Sequence, residues 1–270
     1  MKTYPFYGYG FILIYGGLFM LKILLSGCNG KMGQVIKDLV KKSDDFTIYC
    51  GFDKNLSINN DFPVFSDVKD ISLKPDVIID FSIPIATLSI LDFAMNNNIP
   101  IVIATTGFSQ DEENIILEAS KKIPVFKSAN MSFDICIMKK LVSWLAPMLK
   151  DTDIEITETH HNRKIDSPSG TAQMLADSIN SALGNTHYCN YDRHSKRVKR
   201  DKNEIGMTSI RGGNIVGEHT VQFFGEFETF EIKHTSYSRN VFAEGALKAA
   251  KFLADKPSGL YNMDDIVKIN

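Results

Sequence analysis

Gly27-Cys28-Asn29-Gly30-Lys31-Met32-Gly33 sets three glycines at a spacing of three, between a short apolar run and a helical pattern. Lys22–Ser26 reads as a buried strand. Met32, Val35, Ile36, Leu39 and Val40 recur at helical spacing through Met32–Lys41. A strand, a glycine turn and a helix in this order form a variant of the dinucleotide fingerprint. One glycine allows the tight turn, another lets the backbone approach a pyrophosphate, and the last lets the helix pack on the strand. Free amides and the dipole at the helix start favour the anion. The contacts are expected from Gly27, Cys28, Asn29, Gly30, Lys31 and Met32. A second strand, Thr47–Phe52, ends at Asp53, at the distance where an acid accepts hydrogen bonds from the adenine ribose. Lys54 beside it can pair with a 2′-phosphate, so the doublet suits either NADH or NADPH. The glycine spacing alone is a weak signal, and a glycine turn without a ligand is the alternative.

Further short apolar runs follow at Val77–Phe81, Ile101–Ala104 and Val125–Lys127, with helical segments near Ala86–Met95 and Asp111–Lys121. This alternation implies a parallel sheet with crossover helices. Ala104-Thr105-Thr106-Gly107 and Ser128-Ala129-Asn130-Met131 fall at carboxyl ends of such strands, where open α/β sheets bind ligands. Their small and amide side chains suit close approach to a nicotinamide carboxamide, although ordinary turns look the same. After Ser132 the pattern changes to a long apolar helix, Ile135–Leu149, and an alternating strand, Asp153–Thr159. A helix near Thr171–Leu183 and strands at Thr208–Arg211, Val216–Phe224 and Phe227–His234 come next, then a final helix, Asn240–Ala254. Strands without intervening helices suggest an antiparallel or mixed sheet whose open face can pack on another subunit. The pattern therefore reads as α/β: a dinucleotide-binding unit over 20–131, to which the final segment 239–270 returns, and a mixed open sheet over 132–238.

Composition excludes several classes. Hydrophobic residues make up 44% and charged residues 23%, which rules out disorder as the main theme. A net charge of −2 argues against a nucleic-acid binder, and the basic run Arg193–Lys202 reads as a solvated loop. Cys28, Cys50, Cys136 and Cys189 form no C-x-x-C pair, so no metal site is expected and a reducing cytoplasm fits. Residues 1–19 carry one charge, Lys2, and seven aromatics. Four glycines, a proline and several tyrosines weaken them as a membrane anchor, and no cleavage signal follows. They are expected to be an extension outside a fold that begins at Met20. A true anchor is the alternative.

The most informative stretch is Glu158–Ala172, with His160, His161, Arg163 and Lys164 within five residues and Ser169-Gly170-Thr171 at a helix start. It supplies a proton donor near neutral pH, and cations and backbone amides for a carboxylate. The adjacent histidines lack H-E-x-x-H spacing, and no G-x-S-x-G elbow is present.

At these residues the chain resembles the 4-hydroxy-tetrahydrodipicolinate reductase (dihydrodipicolinate reductase) family. The marks are Gly27–Gly33, Asp80-Phe81-Ser82, Thr105–Phe108, Ala129–Ser132, Glu158–Ala172, Arg211-Gly212-Gly213, Val216–His219, Ser238-Arg239 with Phe242-Ala243, and Gly259–Met263. The resemblance implies a homotetrameric NAD(P)H-dependent reductase acting on a small cyclic dicarboxylate, with a Rossmann-type dinucleotide-binding domain over 20–131 and 239–270 and an α+β substrate-binding and oligomerisation domain over 132–238. It implies cofactor contacts from Gly27 through Met32, Asp53, Lys54, Ala104, Thr105, Thr106, Ser128, Ala129, Asn130 and Met131. His160 matches the proton donor and Lys164 the second catalytic residue; His161, Gly170 and Thr171 match substrate positions, with Ser169 added. Nearby carboxylates, the substrate's included, are expected to keep part of His160 protonated near neutral pH. Ala104, Asp134 and Cys136 depart from the family pattern. The competing readings on the same fold are a non-catalytic NAD(P) sensor and a different dehydrogenase, such as an aspartate or imine dehydrogenase.

Overall fold

The structure, a computed structural model, describes residues 20–268. The aromatic run 1–19 lies outside the described residues. The first half contains β1 (Leu21–Ser26), α1 (Lys31–Val40), β2 (Phe46–Phe52), β3 (Val64–Phe65), β4 (Val77–Asp80), α2 (Pro84–Asn97), β5 (Ile101–Ile103), α3 (Gln110–Ser120) and β6 (Pro124–Lys127). Then come α4 (Phe133–Leu145), β7 (Asp153–His160), α5 (Gly170–Ala182), β8 (Tyr188–Asn190), β9 (Glu204–Arg211), β10 (Gly217–Phe224) and β11 (Thr229–Ser236). The chain closes with α6 (Asn240–Leu253), β12 (Gly259–Tyr261) and α7 (Met263–Ile266).

Seven strands form one parallel sheet in the order β12-β6-β5-β4-β1-β2-β3. Every residue of Ile23–Leu25, Val77–Ile79 and Ile101–Ile103 is fully buried. That explains their continuous apolar runs, since a parallel sheet is covered on both faces. Ile36 and Val40 of α1 join Ala246, Ala250 and Leu253 of α6 on one face. Ile90 and Leu91 of α2 join Ile116 of α3 on the other. The strand order reverses beside β1, which pairs with β2 on one side and β4 on the other. A ligand crevice opens at such a reversal.

Five strands form a second, mixed sheet in the order β11-β10-β7-β9-β8. β7 and β8 run parallel to β9, while β10 is antiparallel to both its neighbours. α4 and α5 cover one face, where Val142, Leu175 and Ile179 pack on Ile154, Ile156, Met207 and Phe223. The opposite face carries the alternate residues, among them Thr157, Thr208 and Gln222. Ser132 and Ser169 cap α4 and α5 by accepting from Ile135 N and Ala172 N, at 3.3 and 3.2 Å.

The differences from the sequence pattern have local causes. β3, β8 and β12 are edge strands of two or three residues, too short to show a periodicity. α4 starts at its Ser132 cap, ahead of the expected Ile135, and ends at Leu145. β9 begins earlier than expected, at Glu204. The basic run is only partly solvated. Arg200 folds back on the sheet, pairs with Asp153 and Glu155, and donates to Ile154 O and Glu204 O at 2.7 Å. Cys28, Cys50 and Cys136 are buried free thiols and Cys189 is partly covered. Among the described residues, no helix is long and apolar enough to cross a membrane.

Candidate active site

The glycine loop leaves β1 with Gly27 at φ +73°, a left-handed backbone where a Cβ would stand 2.4 Å from Phe81 O. At Gly33 a Cβ would stand 2.3 Å from Gly27 O and 2.5 Å from Cys28 O. Both positions therefore require glycine to keep loop, helix and β4 in contact. Gly30 caps α1 with no side-chain hydrogen bond, so the first-turn amides, including those of Lys31 and Met32, lack a side-chain acceptor. This cradle fits a pyrophosphate. Cys28 is wholly buried, packed beneath the loop in the core. Asp53 accepts from Asn29 N and Asn55 N, both at 2.9 Å, which fixes its carboxylate against the loop. Lys54 is exposed beside it, on a cleft of about 280 Å³ shared with Phe81 and Ile83.

The loops after β4 and β5 are knotted by Asp80. This wholly buried carboxylate accepts from Ser82 Oγ at 2.5 Å, Thr87 Oγ1 at 2.6 Å and Thr105 Oγ1 at 2.7 Å. Thr105 also accepts from Ser82 N at 3.0 Å. Its hydroxyl is thus committed to the protein, while the neighbouring Thr106 is exposed. Ala104 is partly covered, and its amide donates to Asp80 O at 2.9 Å. In the loop after β6, Ser128 Oγ donates to Asn130 O at 2.7 Å. Met131 instead points into the core beneath α6, where Gly245 allows the helix to cross; a Cβ there would meet Met131 O.

The main cleft, about 910 Å³, brings the two halves of the sequence reading together. His160, His161, Lys164, Ser169, Gly170 and Thr171 form one side, and Thr106, Ala129 and Asn130 another. Tyr237 and Arg239, just before α6, also line it. Ser169, Gly170 and Thr171 form the cap and first turn of α5, whose free amides favour an anion. Lys164 Nζ lies 2.8 Å from the more exposed Asp166.

His160 ends β7 and is held from behind. Its Nδ1 is 2.5 Å from Glu158 Oε2. Arg211 donates to both Glu158 oxygens, at 2.8 and 2.7 Å, and Ser169 N donates to Oε1 at 3.1 Å. Burial opposes ionisation of Glu158, but hydrogen bonds from Arg211, His160 and Ser209 outweigh it and bring its pKa to about 2. Burial lowers the pKa of His160; Glu158 raises it, and Lys164 and Arg211 lower it further, leaving it below the ordinary value. The protein's own carboxylate leaves His160 below its ordinary value, so the expected protonation depends on the substrate's carboxylates. Burial outweighs the pull of Glu158, which Arg211 partly offsets. His219 stacks edge-on against His160 with ring centres 5.2 Å apart and lies 3.0 Å from Ser169 Oγ. Burial lowers its pKa to about 4.

Glu158, Arg211, His219 and Asp80 carry no individual role in the sequence reading. Glu158 and Arg211 are distant along the chain and meet only because β7 and β9 run parallel with His160 opposite Arg211. An acid two residues before a histidine, and so on the same face of an alternating strand, is the signal the sequence offers.

Two family models match. "Dihydrodipicolinate reductase, N-terminus" covers residues 21–131 and "Dihydrodipicolinate reductase, C-terminus" covers residues 134–267. The 4-hydroxy-tetrahydrodipicolinate reductase of Caldanaerobacter subterraneus subsp. tengcongensis is 49% identical over 249 residues, covering 92% of this chain and 99% of that protein. Its namesake in Clostridium tetani is 50% identical over 246 residues, covering 91% of this chain and 96% of that protein. Among solved structures, the dipicolinate-bound dihydrodipicolinate reductase from Paenisporosarcina sp. TG-14 has a TM-score of 0.78 at 24% identity, covering 92% of this chain and 100% of that one. An amine dehydrogenase from Mycobacterium smegmatis has a TM-score of 0.60 at 9% identity, covering 90% of this chain and 95% of that one, and shares the fold alone. With both halves matched in order and relatives near half identical over almost the whole chain, the chain belongs to the dihydrodipicolinate reductase family.

Proposed function

We propose that this chain reduces 4-hydroxy-tetrahydrodipicolinate, by way of dihydrodipicolinate, to tetrahydrodipicolinate in diaminopimelate and lysine biosynthesis. The observation that carries the reading is the cleft itself. It joins a histidine, a lysine and an open helix start to loops at the carboxyl ends of the parallel strands. The ligand named for the Paenisporosarcina reductase, dipicolinate, is a flat ring with two carboxylates.

The coenzyme is held by Gly27 through Met32, by Asp53 and Lys54, and by the backbone of Ala104 through Thr106 and Ser128 through Met131. When bound, NADH or NADPH supplies a hydride to substrate C4. The remaining work falls to side chains and amides of this chain. Lys164, the amides of Gly170 and Thr171, and His161 neutralise the substrate carboxylates. Ser169 holds the helix start in shape through its cap. His160 protonates C3 and so completes reduction of the C=C bond. Because burial depresses its pKa, the arriving dianion supplies the negative charge that favours the imidazolium. Protonation of the acid is thereby coupled to substrate binding.

The same reading divides the chain into a coenzyme domain, 20–131 and 239–270, and a substrate domain, 132–238. It also makes the enzyme a cytoplasmic homotetramer, which light scattering and cell fractionation test. His160→Gln tests the chemistry. General-acid loss costs about 100- to 10,000-fold in rate. Turnover is expected to fall by that order with NADH affinity retained; near-normal turnover refutes the role of His160.

A further inference from the structure

We propose that Glu158 is a positioning residue that fixes His160 in its Nδ1–H tautomer, and that Arg211 offsets the Glu158 charge so that this grip does not trap the acid's proton. The proposal rests on the reading of His160 as the acid that protonates C3.

The geometry admits few alternatives. Glu158 is wholly buried and, with its pKa near 2, is a carboxylate at any working pH. A carboxylate only accepts hydrogen bonds. Across 2.5 Å the hydrogen must therefore come from Nδ1. Neutral His160 then carries its proton on Nδ1 and leaves Nε2 as a bare lone pair, on the ring edge away from Glu158. Gly217 keeps room at that nitrogen; a Cβ there would lie 3.2 Å from Nε2. The transferred proton is the one on Nε2 of the imidazolium. The Nε2–H bond breaks with its electron pair left on nitrogen, and the new C3–H bond uses the pair on carbon. The ring returns directly to the Nδ1–H form, ready to take its next proton on Nε2.

A lone buried carboxylate at this distance would hold the imidazolium as a tight ion pair and oppose release. Arg211 prevents this with a two-pronged contact to the same carboxylate. The other groups facing the ring are few. Lys164 lies in the following loop and is paired with Asp166, with His161 next to the ring in the same segment. From β10, His219 is neutral at pH 7, with His234 of β11 behind it; Ser169 from α5 carries no charge. Among the described residues, Glu158 is the carboxylate in hydrogen-bond contact with the ring.

The test is a long-range ¹H–¹⁵N spectrum of the full-length protein labelled at histidine, recorded across pH without substrate, with His160 assigned by its loss in His160→Gln. The expected result is a protonated Nδ1 and a bare Nε2 in the neutral ring. A ring protonated on Nε2 overturns the proposal. The alkaline limb of kcat adds a second readout. Glu158→Gln leaves Arg211 uncompensated and moves the limb to lower pH, with kcat down about 100-fold or more and KM changed far less. Arg211→Met leaves Glu158 uncompensated and moves it to higher pH. Limbs that move together, or stay put, also overturn it. If either variant does not fold, the wild-type spectrum decides. An inactive chain with the Nδ1–H tautomer fails the functional reading alone; an active chain with the Nε2–H tautomer fails this proposal alone.

Discussion

Asn130 donates from Nδ2 to Thr171 Oγ1 across 2.9 Å, joining the loop after β6 to the first turn of α5. The same side chain accepts from Ser132 N at 2.9 Å, which fixes the entry to α4. One amide thus ties the loop after β6 to the starts of both α4 and α5. A hydrogen bond contributes about 0.5–1.5 kcal/mol net, so the two together are worth about 1–3 kcal/mol, roughly 5- to 150-fold in an equilibrium. Asn130→Ala is expected to lower kcat/KM by about that factor, through KM, kcat or both. Steady-state kinetics showing no change in either would contradict the link.

Gly33→Ala sets a methyl group against the carbonyls of Gly27 and Cys28. Those atoms are backbone and cannot rotate aside. Overpacking costs about 1–3 kcal/mol, and here it also deforms the phosphate cradle. The variant is expected to melt several degrees lower and to lose most coenzyme affinity. A thermal melt and a coenzyme titration check both effects.

Asp53→Ala removes the acceptor for the Asn29 and Asn55 amides, and with it the proposed ribose contact. Binding of both coenzymes is expected to weaken because the glycine loop loosens. NADH should lose more than NADPH, since Lys54 remains to pair with a 2′-phosphate. Equal losses, measured by coenzyme fluorescence, would refute the ribose contact.

Acid lability follows from the buried cluster. His219 has a folded pKa of about 4 against an ordinary 6.5, so the unfolded chain binds its proton first. Stability from this residue is complete above pH 6.5 and is lost as pH falls towards 4. Glu158 acts in the same sense lower down, its stabilisation present above 4.5 and lost as pH falls towards 2. His160 and His234, also lowered by burial, add to the upper window. Melting temperatures should decline from about pH 6.5 downward, and His219→Gln should flatten part of that decline. A decline unchanged in His219→Gln would contradict the assignment.

The parallel sheet was legible because strands buried on both faces, such as Val77–Ile79, cannot be anything but apolar. The glycine loop was legible because its steric demands admit no substitute at Gly27 or Gly33. His160 and Lys164 stood out as a local cluster. What stayed hidden depends on long-range pairing. Arg211 reaches Glu158 through the β7–β9 register, and Asp80 gathers hydroxyls from two further segments. Thr105 and Met131 show a different limit. A residue in a binding loop can face inward, and spacing does not report which way its side chain turns.

The most direct test is coenzyme oxidation by the purified chain with 4-hydroxy-tetrahydrodipicolinate made freshly by the aldol condensation that precedes it. The account predicts oxidation of NADH or NADPH in proportion to the substrate added. No oxidation above the substrate-free rate with either coenzyme would contradict it.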